Sequence, residues 1–193
     1  MSKLILSAGI LLMSVFPALS ADWELDTSHS SMKFKVKHLM VSNVYGEFTN
    51  FTGNFQYDEA NPQKAIIDVT VDMSSITTGN EKRDAHLKSA DFFDIENFPE
   101  MTFESTRIKK AGKNLKLIGA LTMRGVTREI ELLVDGPTEP VNMMGSIRVG
   151  ASATGTINRL EWGVSWSKAL ETGAMVVSKE IDIIIDLELI KKS

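Results

Sequence analysis

The sequence predicts an all-β protein of eight long antiparallel strands with one short helical insertion. Three observations carry this. Apolar and polar residues alternate with period two through most of the chain after residue 22. The connections between the alternating runs are mostly of hairpin length. One stretch, Thr77 to Phe103, interrupts the rhythm with charge and aromatic residues.

The chain opens with a signal-peptide layout. Lys3 gives a positive start, Leu4 to Phe16 is apolar apart from Ser7 and Ser14, and Pro17-Ala18-Leu19-Ser20-Ala21 supplies small residues for cleavage after Ser20. The apolar run is shorter than the ~20 residues a membrane span requires. The expected division is a signal peptide over 1–20 and one domain over 21–193, exported and, in a bacterium, periplasmic. Removing residues 1–20 takes away Lys3 and no acid, so the net charge moves from −4 to −5. That balance argues against nucleic acid as a partner. The absence of cysteine excludes disulfides, thiol catalysis and Cys-based metal sites.

Met32, Phe34, Val36 and His38 face one way while Lys33, Lys35 and Lys37 face the other, which defines the first strand. Val41 to Glu47 reads as a turn region centred on Asn43 and Gly46. Phe51, Gly53, Phe55 and Tyr57 share the next face, and Asn61-Pro62 marks the following turn. Ile67, Val69, Val71 and Met73 line a third strand.

Gly79 then ends the strand pattern, and Asn80 is placed to cap a helix running to about Lys88. Phe92–Phe93 lie between Asp91 and Asp94, and Phe98 precedes Pro99, which bars further helix. This segment reads as a flap over one end of the sheet structure. Arg83, Asp84 and His86 are expected to fix it, and Phe92, Phe93 and Phe98 to turn onto the opening.

Five strands follow. Their faces run Met101, Phe103, Ser105; Leu115, Leu117, Gly119, Leu121; Val126 to Val134 in even steps; Ile147 to Gly155 in odd steps; and Ile181 to Leu189 in odd steps. The pattern fits an antiparallel barrel or sandwich, and eight strands are enough for a closed barrel to hold one ligand. Gly53, Gly119, Ala151, Ala153 and Gly155 on the apolar faces admit two readings: they leave a cavity, or they make room for large neighbours. An outer-membrane barrel is excluded, because the polar faces carry Lys, Glu and Asp in quantity and Tyr is too scarce for an aromatic girdle.

Several segments together resemble the YceI-like family of secreted bacterial proteins. They include Trp23 to Asp26, His29-Ser30, Gly46-Glu47-Phe48 and Asp72 to Thr78. The most specific are Asn80, Arg83-Asp84, His86-Leu87-Lys88, Asp91 to Asp94, Phe98-Pro99 and Phe103, followed by Gly119 to Thr127, Asn158-Arg159 and Trp162-Gly163. Arg124 stands where that family often has His, and Trp162 where it often has Phe. The resemblance implies a lipocalin-like barrel that binds a polyisoprenoid, prenylated quinone or fatty-acyl lipid, with no catalytic role and no cofactor or metal. The expected ligand wall is Phe34, Val36, His38, Phe51, Phe55, Val69, Val71, Phe103, Leu117, Ile130, Leu132, Ala151, Ala153 and Ile183. The expected partner is a hydrophobic small molecule, and a homodimer is left open.

Two alternatives stand beside it. One is an exported enzyme acting on a lipid or isoprenoid head group, with His86 or His38 as base. The other is an interaction or stress protein whose barrel is filled by its own side chains. His29, His38 and His86 are numerous enough for zinc, but no two lie at a ligand spacing.

Overall fold

The structure, a computed structural model, describes residues 21–58, 60–167 and 176–192; the expected signal peptide lies outside them. The strands are β1 (Ala21–Leu25), β2 (Ser31–His38), β3 (Ser42–Phe48), β4 (Phe51–Tyr57), β5 (Ile66–Asp72), β6 (Ile76–Thr77), β7 (Glu100–Ala111), β8 (Asn114–Met123), β9 (Val126–Asp135), β10 (Val141–Met143), β11 (Ser146–Asn158) and β12 (Val177–Lys191). One α-helix, α1 (Glu81–Lys88), lies between β6 and β7.

Among the described residues, the twelve strands of the single sheet reduce to eight staves. β1 with β2, β3 with β4, and β5 with β6 are each one long strand interrupted by a short irregularity, and β10 is a hairpin arm on β11. Each stave pairs antiparallel with the next, and β12 closes the ring by pairing with β11 on one side and with β1 and β2 on the other. The result is a closed eight-stranded up-and-down barrel, which leaves no free sheet edge in the ring.

The segment read as a turn, Val41 to Glu47, lies almost wholly in β3, which pairs with β2 from Met32↔Phe48 to His38↔Ser42. The chain reverses instead at Leu39 and Met40, both at positive φ (52° and 60°). Gly46 is a packing residue: a Cβ there would come within 2.3 Å of the Phe34 ring. The same holds for glycines in the barrel wall. The Phe55 ring lies over Gly53, the Phe103 ring over Gly119 and the Leu132 side chain over Gly155. These three make room for large neighbours, so of the five small residues only Ala151 and Ala153 border open space.

The barrel has two unlike ends. At one, Trp23, Phe55 and Val149 form a buried plug, and Trp23 Nε1 donates to the Tyr57 carbonyl at 3.3 Å. The other carries the flap, the β2–β3 hairpin and the segment after β11. On the outer wall, where β1 gives way to β2, Arg148 bridges Asp26 (2.7 Å) and Glu188, while His29 Nδ1 meets Asp26 at 3.0 Å. The bond from Arg148, assisted by His29, lowers the Asp26 carboxyl from 3.8 to about 2.

Candidate functional site

The inward faces of the staves enclose an elongated cavity with about 260 Å³ of space open to the centre of a water molecule. The eight residue steps from Ile181 to Leu189, both on its wall, span roughly 20 Å along the axis at ~3.3 Å per residue and a strand tilt of ~40°. That volume over that length makes a channel wide enough for one hydrocarbon chain.

Most of the expected wall residues do face it. β2 contributes Phe34 and Val36, β4 Phe51 and Phe55, β5 Val69 and Val71, and β7 Phe103. Leu117 of β8, Ile130 and Leu132 of β9, Ala151 and Ala153 of β11, and Ile183 of β12 complete that set. His38 does not belong to the wall. It is the last residue of β2, paired with Ser42 and Val177 beside the hairpin, half-buried and beyond the rim.

The flap follows local chemistry. Asn80 accepts a bond from the Arg83 amide at 3.0 Å and starts α1, as its sequence position predicts. Burial would raise the Asp84 carboxyl, but hydrogen bonds from Thr78 and Thr77 outweigh it and hold the group below its ordinary range. Arg83 donates to the Thr78 hydroxyl at 2.7 Å and carbonyl at 2.9 Å. Both side chains thus fix the helix to its own entry loop rather than across the barrel mouth.

The helix buries no residue, and closure of the cavity falls to Leu87 and the turn after it. The Phe93 amide bonds Leu87 O at 3.0 Å and the Ile95 amide bonds Lys88 O at 3.1 Å, which turns Phe92 and Phe93 inward. Phe93 meets Phe48 edge-on at 6.3 Å. Phe92, His86 and Trp166 form an aromatic triad with centroids 4.9–5.1 Å apart, and His86 Nε2 lies 2.8 Å from Asp91. Phe98 stands apart from the cavity wall, over Gly125 in the β8–β9 turn, because Gly125 leaves a hollow there that only a glycine provides.

Three residues here entered the sequence reading only through the family resemblance, Arg124 and Trp162 as departures from it and Arg159 as a match, and none was placed at the site. Arg124 reaches across the rim, donating to Ala90 O of the flap at 2.9 Å and to Gly163 O, so it bears directly on closure. Trp162 is fully buried in the main core cluster and donates to Leu121 O at 3.1 Å. Arg159 lines the flap end of the cavity at 4 % exposure. Counting on in twos from Gly155 and Ile157 would have placed Arg159 inside.

The three histidines do not form one cluster among the described residues. The group of closely spaced candidate ligand atoms there is Asp26, His29 and Glu188 on the outer wall, into which Arg148 already inserts a cation.

An up-and-down barrel with an apolar interior and a flap at one end is a lipocalin-like barrel protein. The YceI-like domain matches residues 23–189, and the chain belongs to the YceI-like family. A UPF0312 protein of Serratia proteamaculans is 35% identical over 188 residues, covering 95% of this chain and 93% of that protein. The crystal structure of the Campylobacter jejuni YceI protein is 29% identical, with a TM-score of 0.68 over 81% of this chain and 90% of that one. BcnA of Burkholderia cenocepacia has the same fold, with a TM-score of 0.74 at 21% identity over 86% and 99% of the two chains. So does a polyisoprenoid-binding domain from Saccharophagus degradans, with a TM-score of 0.64 at 15% identity over 90% and 99%.

Proposed function

We propose that the protein is an exported carrier that holds one long apolar chain, a polyisoprenoid, prenylated quinone or fatty-acyl lipid, in the barrel for transport, storage or sequestration. The observation that carries this reading is the channel itself, walled by apolar side chains from the Trp23 plug to the flap. A roughly 20 Å channel takes about four five-carbon units at ~5 Å each. Burying each unit contributes on the order of 3 kcal/mol gross, so a few exceed the ordering cost of binding. The polyisoprenoid-binding description of a protein with this fold agrees with such a ligand.

Export rests on the layout of residues 1–20. N-terminal sequencing of protein from the periplasm should start at or next to Ala21, and an intact Met1 on exported protein would refute it. The carrier reading is tested by native mass spectrometry of the protein purified from its host. The expected result is one lipid per chain. Protein that arrives empty, and takes up none of geranylgeraniol, geranylgeranyl phosphate, oleyl alcohol and oleate when they are added, overturns it.

A further inference from the structure

Arg159 continues the inward parity of Gly155 and Ile157, and it is buried at the flap end of an otherwise apolar cavity. Its Nε donates to Ser178 O at 2.9 Å and its Nη2 to Val177 O at 3.3 Å. Its Nη1 donates to Trp166 O at 3.0 Å and to Val164 O. All four acceptors are neutral backbone carbonyls, freed where the chain leaves regular strand after β11 and at the start of β12. A guanidinium has five N–H groups. One on Nη2 has no acceptor among the described residues, and no carboxylate there lies within ion-pair reach of Arg159.

Carbonyls satisfy N–H groups, but they leave the charge itself without a counter-ion among the described residues. Burial pushes the Arg159 guanidinium down from its ordinary value, yet arginine stays protonated at neutral pH. A buried charge without a partner is strongly unfavourable. The acids of the barrel wall stand on the outside: Asp182 pairs with Lys35, and Glu131 with Lys116.

We infer that the missing counter-ion is the ligand's own head: the protein selects an amphiphile with an anionic oxygen group, a carboxylate or a phosphate, seated against Arg159 beneath Trp166, with the tail running down to the Trp23 plug. The inference rests on the tail-binding reading above and narrows it, placing prenyl phosphates and fatty acids ahead of alcohols and quinones. A charge-assisted hydrogen bond inside a dry channel supplies the discrimination.

The test uses delipidated mature protein and two matched probe pairs, geranylgeranyl phosphate with geranylgeraniol and oleate with oleyl alcohol, titrated by calorimetry. Wild type should bind the anion of at least one pair about tenfold or more tighter than its alcohol. The pair with the larger ratio identifies the head as phosphate or carboxylate. Arg159→Met should lose the preference for the anion over its alcohol, whereas Arg159→Lys should keep part of it. A purely structural arginine would leave the anion-to-alcohol ratio unmoved. Equal binding of anion and alcohol by wild type overturns the inference and leaves the carrier reading standing, as does a folded Arg159→Met that keeps the preference. Binding of none of the four probes overturns both. If Arg159→Met does not fold, the wild-type ratio alone decides.

Discussion

Replacing Ala153 by Phe separates a cavity from a packed core. Ala153 lies opposite Val134 and Ile185 in the ladder, and all three face the channel. An apolar space of about 150 Å³ holds a benzene ring, so a phenyl group fits within the 260 Å³ present and fills more than half of it. Burying an aromatic side chain removes ~150–250 Å² from water, roughly 4–6 kcal/mol gross at 25 cal/mol/Å². The folded protein should therefore be at least as stable as wild type, where the same insertion into a filled core would cost about 1–3 kcal/mol. Bound lipid should fall by more than half, because one chain and one ring cannot share a single-file channel. Urea unfolding of the delipidated variant, with extraction and mass spectrometry of the protein as purified, gives both readings. A folded Ala153→Phe protein with unchanged lipid content would refute the assignment, and so would a loss of stability in the packed-core range.

Other expected outcomes rest on single features. Phe93→Ala should speed lipid release into liposomes more than Asp84→Ala, because Phe93 closes the channel while Asp84 holds only the helix to its entry loop; the reverse order would make the charged cluster the latch. Gly119→Ala should destabilise by at least ~1–3 kcal/mol, since its Cβ would stand 2.5 Å from the Glu104 carbonyl and 2.3 Å from the Phe103 ring, and backbone cannot step aside; a neutral change in urea midpoint would show that the wall yields there. Asp26 has a depressed folded pKa, so its contribution is full above the unfolded value near 3.8 and is lost as pH falls through about 2. Arg148→Met should lower stability at pH 7, with the gap to wild type narrowing between about pH 4 and pH 2 when unfolding is followed by tryptophan fluorescence. A gap independent of pH would assign the effect to packing of the Arg148 stem.

What could be read from the sequence divides by the range of the interaction. The helix from Asn80 to Lys88 was legible because its cap and breakers are local. The inward parity of β2, β4, β5, β11 and β12 was legible because one wet face and one apolar face write period two directly into the chain. Asn43 and Gly46 misled because their turn signal was local while their role is not: Gly46 is small for the sake of Phe34 on the neighbouring strand. The true reversal uses Leu39 and Met40, residue types that give no hint of positive φ. Gly119 and Gly155 are ambiguous in one dimension for the same reason, since the Phe103 ring and the Leu132 side chain that cover them come from neighbouring strands, whereas Gly53 is covered by Phe55 of its own strand. Arg159 was missed because a charged residue on an apolar parity looks like the end of a strand, although the parity of Gly155 and Ile157, carried one step further, already points it inward.

The pairing of β1 and β2 with β12 sets an order of events in the life of the chain. Every other neighbour in the ring is also a neighbour in sequence, but this seam joins Trp23 to Lys191 and Met32 to Ile185. Until the last fifteen-residue strand is available, the apolar faces curl with an unsealed slit and the channel has no inside. Such long-range closure is slow compared with hairpin formation, because the loop entropy is spent before the contact is gained. A chain threaded N-terminus first through a translocation pore thus arrives with its seam partner still behind it, and it remains threadable until residues 177–191 emerge. On the export route proposed above, the container would be sealed on the far side of the membrane and would acquire its contents there.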